Sequence, residues 1–334
     1  MIVSRQLWNR SLRPAWSLRS YSSSSSANFI RIVDVSPRDG LQNEKTLVST
    51  ENKLELIDRL TDCGLKTVEA AAFVSPKWVP QMADASEVYP KVVTKYKSNG
   101  VRYPVLVPNV KGLQTAIESA AKVGEKVDEI AIFGAASEGF SRKNTNRSIE
   151  EGYKVFKEVI DMAKDHSIQV RGYLSTVIAC PYDGPTKPAL VAQLSERLLE
   201  IGCYEVSLGD TIGVGTPKSI ETMVREVLKS VPAEKLAIHA HDTYGQGVAN
   251  VVKAVELGIR VVDSSVAGLG GCPYAKGASG NVSTEDVVYA LHGLGFDTGV
   301  NMESLCRTGQ WISEQLGRPN GSKAGRAILA KLSP

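Results

Sequence analysis

The sequence predicts an α/β protein, a (β/α)8 TIM barrel with additional C-terminal helices packed at the barrel, and three observations predict it. Short runs rich in Val and Ile recur eight times after residue 29. Their starts lie roughly 25 to 40 residues apart, the size of one strand–helix unit. The segments between them carry helix start and stop signals. Runs that are apolar and bounded by polar loops suit parallel strands buried on both faces. An open doubly wound sheet is the alternative, but the first turn lacks the G-x-G-x-x-G of nucleotide-binding sheets. A chain of 334 residues has ample core for one large barrel.

Taken in order, residues 1–28 are set apart from the rest. They hold Arg5, Arg10, Arg13 and Arg19, no Lys and no acid, and end in the serine run 22–26. Trp8, Leu12, Trp16 and Leu18 are spaced to form an apolar stripe on a helix. This is the profile of a mitochondrial transit peptide and predicts the mitochondrial matrix; a disordered basic tail is the alternative. Arg19-Ser20-Tyr21-Ser22 resembles a matrix-protease cleavage site. Residues 29–334 then form the barrel domain. Strands are expected at 30–35, 67–72, 102–107, 129–133, 170–175, 205–208, 236–241 and 260–266. Thr50 caps a helix bearing Leu54, Ile57 and Leu60, which stops at Gly64. Ser148 with Glu151 forms a capping box. Thr216-Pro217 places proline at a first helical position. Gly202 and Gly258 stand where helices end. From about 282 onward, further helices follow the eighth strand.

Composition excludes several classes. Hydrophobic content of 43% and charged content of 22% are those of a soluble globular protein. The net charge of +3 comes partly from the N-terminus, and no basic run follows it, so nucleic acid is not an expected partner. No apolar stretch reaches the ~18 residues of a membrane span. The five cysteines, Cys63, Cys180, Cys203, Cys272 and Cys306, are odd in number and widely spaced. That pattern argues against both a disulfide framework and a zinc site.

Barrel active sites are built at the C-terminal ends of the strands. Here those ends hold Arg38-Asp39-Gly40-Leu41-Gln42-Asn43-Glu44, then Glu69, then Gly209-Asp210-Thr211, then His239-Ala240-His241. The eighth strand runs into the glycine loop of Cys272, with Asn281 and Glu285 close behind. In a strand, residues i and i+2 share a face, so His239 and His241 project together. An isolated pair of that kind is often two surface residues, but this pair ends an apolar strand. With Asp39 and Asn281 it makes a mixed nitrogen–oxygen set suited to Mg²⁺ or Mn²⁺. Arg38 reads as a structural ion pair or as the cation that stabilises an enolate. Glu69 and Asp210 are candidate acceptors that orient Arg38 or a histidine, and Glu285 a support for Asn281 or the cysteine loop. His166 and His292 are isolated and read as non-functional. Cys180 reads as a core thiol. The proline loop 75–80 lies over the mouth.

Four motifs carry a resemblance. Arg38–Glu44, Phe73-Val74-Ser75-Pro76-Lys77-Trp78-Val79-Pro80-Gln81-Met82, Ser207-Leu208-Gly209-Asp210-Thr211-Ile212-Gly213 and Gly270-Gly271-Cys272-Pro273-Tyr274 closely resemble the 3-hydroxy-3-methylglutaryl-CoA lyase family. The segment 277–286 fits the same family, and the likeness runs from about residue 30 to 299. The resemblance implies a metal-dependent barrel lyase that cleaves 3-hydroxy-3-methylglutaryl-CoA to acetyl-CoA and acetoacetate, in leucine degradation and ketone-body formation. It implies Asp39, His239, His241 and Asn281 as metal ligands. Cys272, Arg38, His239, Asp210 and Glu69 become the catalytic group, and Arg38 and Gln42 are assigned to cofactor binding. His239 or a water accepts the hydroxyl proton. A homodimer is implied as well. The chain departs from the family pattern at Ala70-Ala71-Ala72 and at Thr176-Val177-Ile178.

Two other readings remain on the sequence. A related acyl-CoA lyase or a Claisen-type synthase with a different acyl substrate shares the Arg-Asp pair and the His-x-His. Such synthases usually carry a further regulatory domain and lack the glycine–cysteine loop. A non-catalytic acyl-CoA-binding barrel would not need the full set of ligands with Cys272.

Overall fold

A computed structural model of the chain describes residues 28–96, 99–271 and 280–332. Eight of the expected strands are present. They are β1 (Arg31–Asp34), β2 with β3 (Thr67–Val68 and Ala71–Ala72), β4 (Val105–Leu106), β5 (Glu129–Ala135), β6 (Gln169–Ser175), β9 (Glu205–Asp210), β10 (Leu236–Ala240) and β11 (Val261–Ser264). All neighbouring pairs in the order β2-β1-β11-β10-β9-β6-β5-β4-β3 are parallel. The second expected strand is thus split, one half pairing with β1 and the other with β4. Between the halves, Glu69 N–H donates to Asp34 and Ala70 N–H to Pro104, both at 2.9 Å. Residues 67–72 therefore bond alternately to both neighbours, and the sheet closes on itself as a barrel.

The helices follow the cap chemistry with one correction. Helix α1 (Thr50–Asp62) is capped by Ser49, whose side chain accepts the Asn52 N–H, and Thr50 is its first residue. Gly64 after it has φ +96°, and a Cβ there would strike the Gly299 carbonyl at 2.3 Å, so glycine is required. The Ser148 capping box opens α5 (Ile149–Asp165), and Thr216 caps α7 (Pro217–Val227). Helices α2 (Ala85–Lys95), α3 (Val110–Ala121), α6 (Pro188–Glu200) and α8 (Gly247–Glu256) complete the ring as expected. The short helix α4 (Glu138–Thr145) and the hairpin β7–β8 (Ala179–Cys180, Gly184–Pro185) are additions the sequence pattern does not predict. Both follow strand ends at the mouth.

Helix α9 (Thr284–Gly293) is the eighth ring helix, so the helices added to the barrel are α10 (Met302–Leu316) and α11 (Lys323–Leu332). Helix α10 packs on α1, where the Arg59 guanidinium lies 4.6 Å from the Trp311 ring centre. The loop before α11 reaches the mouth: Arg318 pairs with Glu44, and Gly321 N–H donates to Ala267. Among the described residues no helix is long and apolar enough to cross a membrane. Cys63, Cys180, Cys203 and Cys306 are buried thiols, as core cysteines should be.

Candidate active site

Strand β1 runs straight into one turn of π-helix, Ser36–Gly40, that carries Arg38 and Asp39. Gly40 allows the turn to sit against the eighth strand's end, since a Cβ would lie 2.5 Å from Ser265 Oγ. Arg38 donates through Nη2 to Glu69 Oε2 at 2.8 Å and through Nη1 to Asp39 Oδ1 at 2.5 Å. The Tyr173 hydroxyl donates to the same Glu69 oxygen at 2.8 Å. Burial opposes the charge on Arg38, but Glu69 and Asp39 hold its pKa well above the usual value. Burial also raises Glu69, and outweighs Arg38 there. For Asp39, Arg38 and the two imidazoles outweigh burial and bring the carboxyl below its ordinary range.

His239 and His241 share one face of β10 and its continuation, with ring centres 5.3 Å apart. Each of Asp39, His239 and His241 offers one ligand atom, and these three atoms lie within 4.8 Å of one another. Nδ1 of His241 is buried without a hydrogen-bond partner. Burial and the neighbouring His239 push His241 down to about 4, so its ring is neutral at pH 7 and keeps a lone pair. Asn281 is brought alongside by an antiparallel bridge to His241. Its Nδ2 donates to Asp39 Oδ2 at 2.8 Å and to the Leu269 carbonyl at 3.1 Å, which leaves Oδ1 as its ligand atom. An orphaned imidazole nitrogen beside an ionised carboxylate and a second imidazole fits a divalent cation.

Arg38, Asp39, Tyr173, His239 and His241 line the floor of a cavity of about 800 Å³, and Gln42 stands in its wall. Ser75, Trp78, Val79 and Pro80 of the proline loop form part of the wall, and Lys143 and Arg147 stand at another. Cys272 lies outside the described residues. The stem of its loop is described: Gly270 and Gly280 have φ +127° and +90°, and a Cβ on Gly280 would lie 2.4 Å from Gly270. The two ends of the loop are therefore held in backbone contact at the cavity rim, where Asn43 also donates to the Gly271 carbonyl at 2.9 Å.

The remaining candidates separate. Glu285 is fully buried and accepts the N–H of Ala267 with both oxygens, at 3.1 and 2.9 Å. It therefore supports the base of the loop rather than Asn281. Asp210 lies beside Ala240 in the sheet and accepts the Gly215 N–H at 2.8 Å. It hydrogen-bonds neither Arg38 nor a histidine, because it sits on the strand face opposite Ser207 and its partners come from the loop before α7. Cys180 accepts the Tyr182 N–H at 3.3 Å. His166 and His292 bond to Met162 and Thr298, away from the cavity.

The family model described as HMGL-like matches residues 29–312. The chain belongs to that family. It is 54% identical over 314 residues to the mitochondrial hydroxymethylglutaryl-CoA lyase of Rattus norvegicus, covering 93% of this chain and 94% of that protein. Identity is 54% over 305 residues to the mitochondrial enzyme of Arabidopsis thaliana, 91% of this chain and 63% of the plant protein's length. A Danio rerio lyase named cytoplasmic is 53% identical, over 90% of this chain and 87% of that one. The crystal structure of the Pseudomonas aeruginosa hydroxymethylglutaryl-CoA lyase matches with a TM-score of 0.86 at 50% identity, over 91% of this chain and 98% of that one. An Acinetobacter baumannii HMG-CoA lyase in complex with coenzyme A and 3-methylmalate matches with 0.84 at 32% identity, over 91% and 96%.

The HMGL-like barrel also holds polar residues that the sequence reading passed over. Arg171, Tyr173, Ser207 and Asp263 sit in strands that read as apolar runs, and all four are buried. Arg171 pairs with Glu205 through Nε at 2.7 Å and with Asp263 through Nη2 at 2.8 Å. The available signal was parity: 171 and 173, and 205 and 207, are polar at alternate positions of their strands.

Proposed function

We propose that this chain is a hydroxymethylglutaryl-CoA lyase, cleaving 3-hydroxy-3-methylglutaryl-CoA to acetyl-CoA and acetoacetate in leucine degradation and ketone-body formation. One observation carries the reading. Arg38, clamped between Glu69 and Asp39, and the Asp39–His239–His241 trio converge on the floor of one cavity large enough for an acyl-CoA's reacting end.

Asp39, His239, His241 and Asn281 would hold Mg²⁺ or Mn²⁺. When bound, such a cation supplies Lewis acidity that lowers the pKa of the substrate's C3 hydroxyl. His239 cannot both ligate and accept the hydroxyl proton through one nitrogen; ligation is the role assigned here, and water takes the proton. As the C2–C3 bond breaks, the electron pair moves onto the thioester as an enolate. Arg38, kept charged and fixed by Glu69, faces that oxygen and stabilises it. Cys272 protonates the enolate carbon through its thiol. The glycines at 270 and 280 let the loop's stem close tightly, which excludes water from the enolate. Gln42, on the cavity wall, contacts the CoA-bearing part of the substrate together with Arg38.

Residues 1–28 act as a transit peptide for the mitochondrial matrix, and residues 29–334 form the lyase domain. Two copies associate as a homodimer. Acetoacetate release from 3-hydroxy-3-methylglutaryl-CoA by the purified chain, with Mg²⁺ and then with excess EDTA, tests the reading. Release that EDTA stops is the expected result; a folded, metal-loaded chain that releases none overturns it.

A further inference from the structure

We propose that Asp263 is a positioning residue for His239: it holds the imidazole as the Nδ1–H tautomer and turns Nε2 toward Asp39 and His241. The inference deepens the lyase reading and rests on His239 as a ligand of its cation.

His239 and Asp263 are direct partners in the parallel pair β10–β11, so their side chains leave the sheet on one face. Nδ1 of His239 lies 3.3 Å from Asp263 Oδ2. That carboxylate is itself fixed from below. Arg171 donates to both its oxygens, Nη2 to Oδ1 at 2.8 Å and Nη1 to Oδ2 at 3.2 Å. Ser207 Oγ donates to Oδ2 at 2.6 Å. Arg171 cannot swing away, because its Nε is held by Glu205 at 2.7 Å and the whole residue is buried.

A carboxylate gripped by a guanidinium fork only accepts hydrogen bonds. The ring nitrogen facing it must therefore carry the hydrogen, and a neutral ring then has its lone pair on Nε2. The Tyr173 ring stands edge-on to the imidazole, 6.0 Å between centres, and limits its rotation. Asp210, the acceptor that sequence position alone suggests, is committed to the Gly215 backbone. The device thus spans four strands: Glu205 of β9 holds Arg171 of β6, Arg171 and Ser207 of β9 hold Asp263 of β11, and Asp263 orients His239 of β10. Orienting partners of this type typically change metal affinity about 10- to 100-fold when removed.

The test uses the full chain, free of metal, labelled with ¹⁵N at histidine. With four histidines in the sequence, His239 is identified by the signal lost in His239→Gln. The expected spectrum at pH 8 has a protonated Nδ1 and a bare Nε2 at His239. In Asp263→Asn, the ring is expected to lose that tautomer, and the Kd for Mn²⁺ to rise about 10- to 100-fold. Ser207→Ala keeps the Arg171–Asp263 pair, and so the fold, and is expected to mix the tautomers and weaken Mn²⁺ a few-fold. An Nε2–H ring in the unsubstituted chain overturns the proposal. So do unchanged ring shifts and Mn²⁺ affinity in Ser207→Ala, which decides the matter even where Asp263→Asn does not fold. Tautomer and Mn²⁺ affinity are read without turnover, so a chain with the expected ring that releases no acetoacetate refutes the lyase reading and leaves the positioning intact.

Discussion

Two clusters of buried charge lie in one barrel and are finished differently. At the mouth, Arg38 Nε, Glu69 Oε1 and His241 Nδ1 are buried without a hydrogen-bond partner. One layer below, Arg171, Glu205, Ser207 and Asp263 leave no such atom, and one remains on Arg31, the second partner of Glu205. An orphaned buried polar atom costs about 1–3 kcal/mol, and the mouth gathers three of them around Arg38, Glu69 and His241. The lower cluster is completed by the protein itself, and the mouth is left for a ligand to complete. Substitutions in the two clusters should therefore fail in different ways: loss of activity without loss of stability at the mouth, and loss of stability below, joined by weaker metal binding only where Asp263 or its partner Ser207 is changed.

The largest expected effect is at the mouth. His241→Ala should lower Mn²⁺ affinity by at least about 100-fold, judged against the 10- to 100-fold typical of outer partners, with the thermal midpoint unchanged or raised. Cys272→Ala should cut acetoacetate release by about 10²- to 10⁴-fold, the usual share of a general acid, while Mn²⁺ titrates as before. A cooperative loss of stability in either variant would break the comparison.

Next comes the lower cluster. Arg171→Met strips Asp263 of its guanidinium and leaves Glu205 to Arg31 alone, and should cost about 3–5 kcal/mol of stability by urea titration. A cost near zero would mean that water takes over, and the lower cluster would lose its structural role. Glu69→Gln probes the boundary between the clusters. It keeps an acceptor for Arg38 and Tyr173 but removes the charge, and should lower kcat/KM about tenfold, near the 1.4 kcal/mol of one charged hydrogen bond. The melting temperature should move little.

The last test concerns carboxylates with no cation at all. Burial pushes Glu285 up to about 8, with Asp286 and Asp34 adding to it against the Ala267 N–H. Burial likewise pushes Asp34 up to about 6, against the Ser36 and Thr284 hydrogen bonds. The native state thus keeps protons that the unfolded chain releases near 4, so stability falls as pH rises from about 4.5 toward 8. Urea midpoints at pH 5.5 and 8 should differ in that sense. Glu285→Gln, which still accepts from Ala267, should flatten the difference; an undiminished slope would assign it to another group.

Much of the fold was legible because it is local. Helix caps at Ser148 and Thr216 and the glycines after α6 and α8 depend on a few neighbouring residues, and all stand where the pattern puts them. The α1 cap slipped by one residue because Ser49 and Thr50 are equally good cap chemistry. The split of residues 67–72 was not legible, since it comes from their bonding to both neighbours at the barrel's closure. In the site, Arg38, Asp39 and the two histidines were found from position at strand ends. Asp263 was missed because it lies inside a run that reads as a buried strand, and Asp210 was preferred because it ends one.

What the sequence by itself determined is the repeat of eight strand–helix units, the shared face of His239 and His241, and the family motifs at the strand ends. Each follows from spacing within a single element. Only the tertiary structure decided which partner each carboxylate meets: Glu69 with Arg38, Asp263 with Arg171 and His239, Glu285 with the Ala267 N–H. Those partners lie on different strands or turns, and the register of a closed barrel sets which inward residues share a layer. No local pattern carries that register, because it is fixed by the closure of the whole ring.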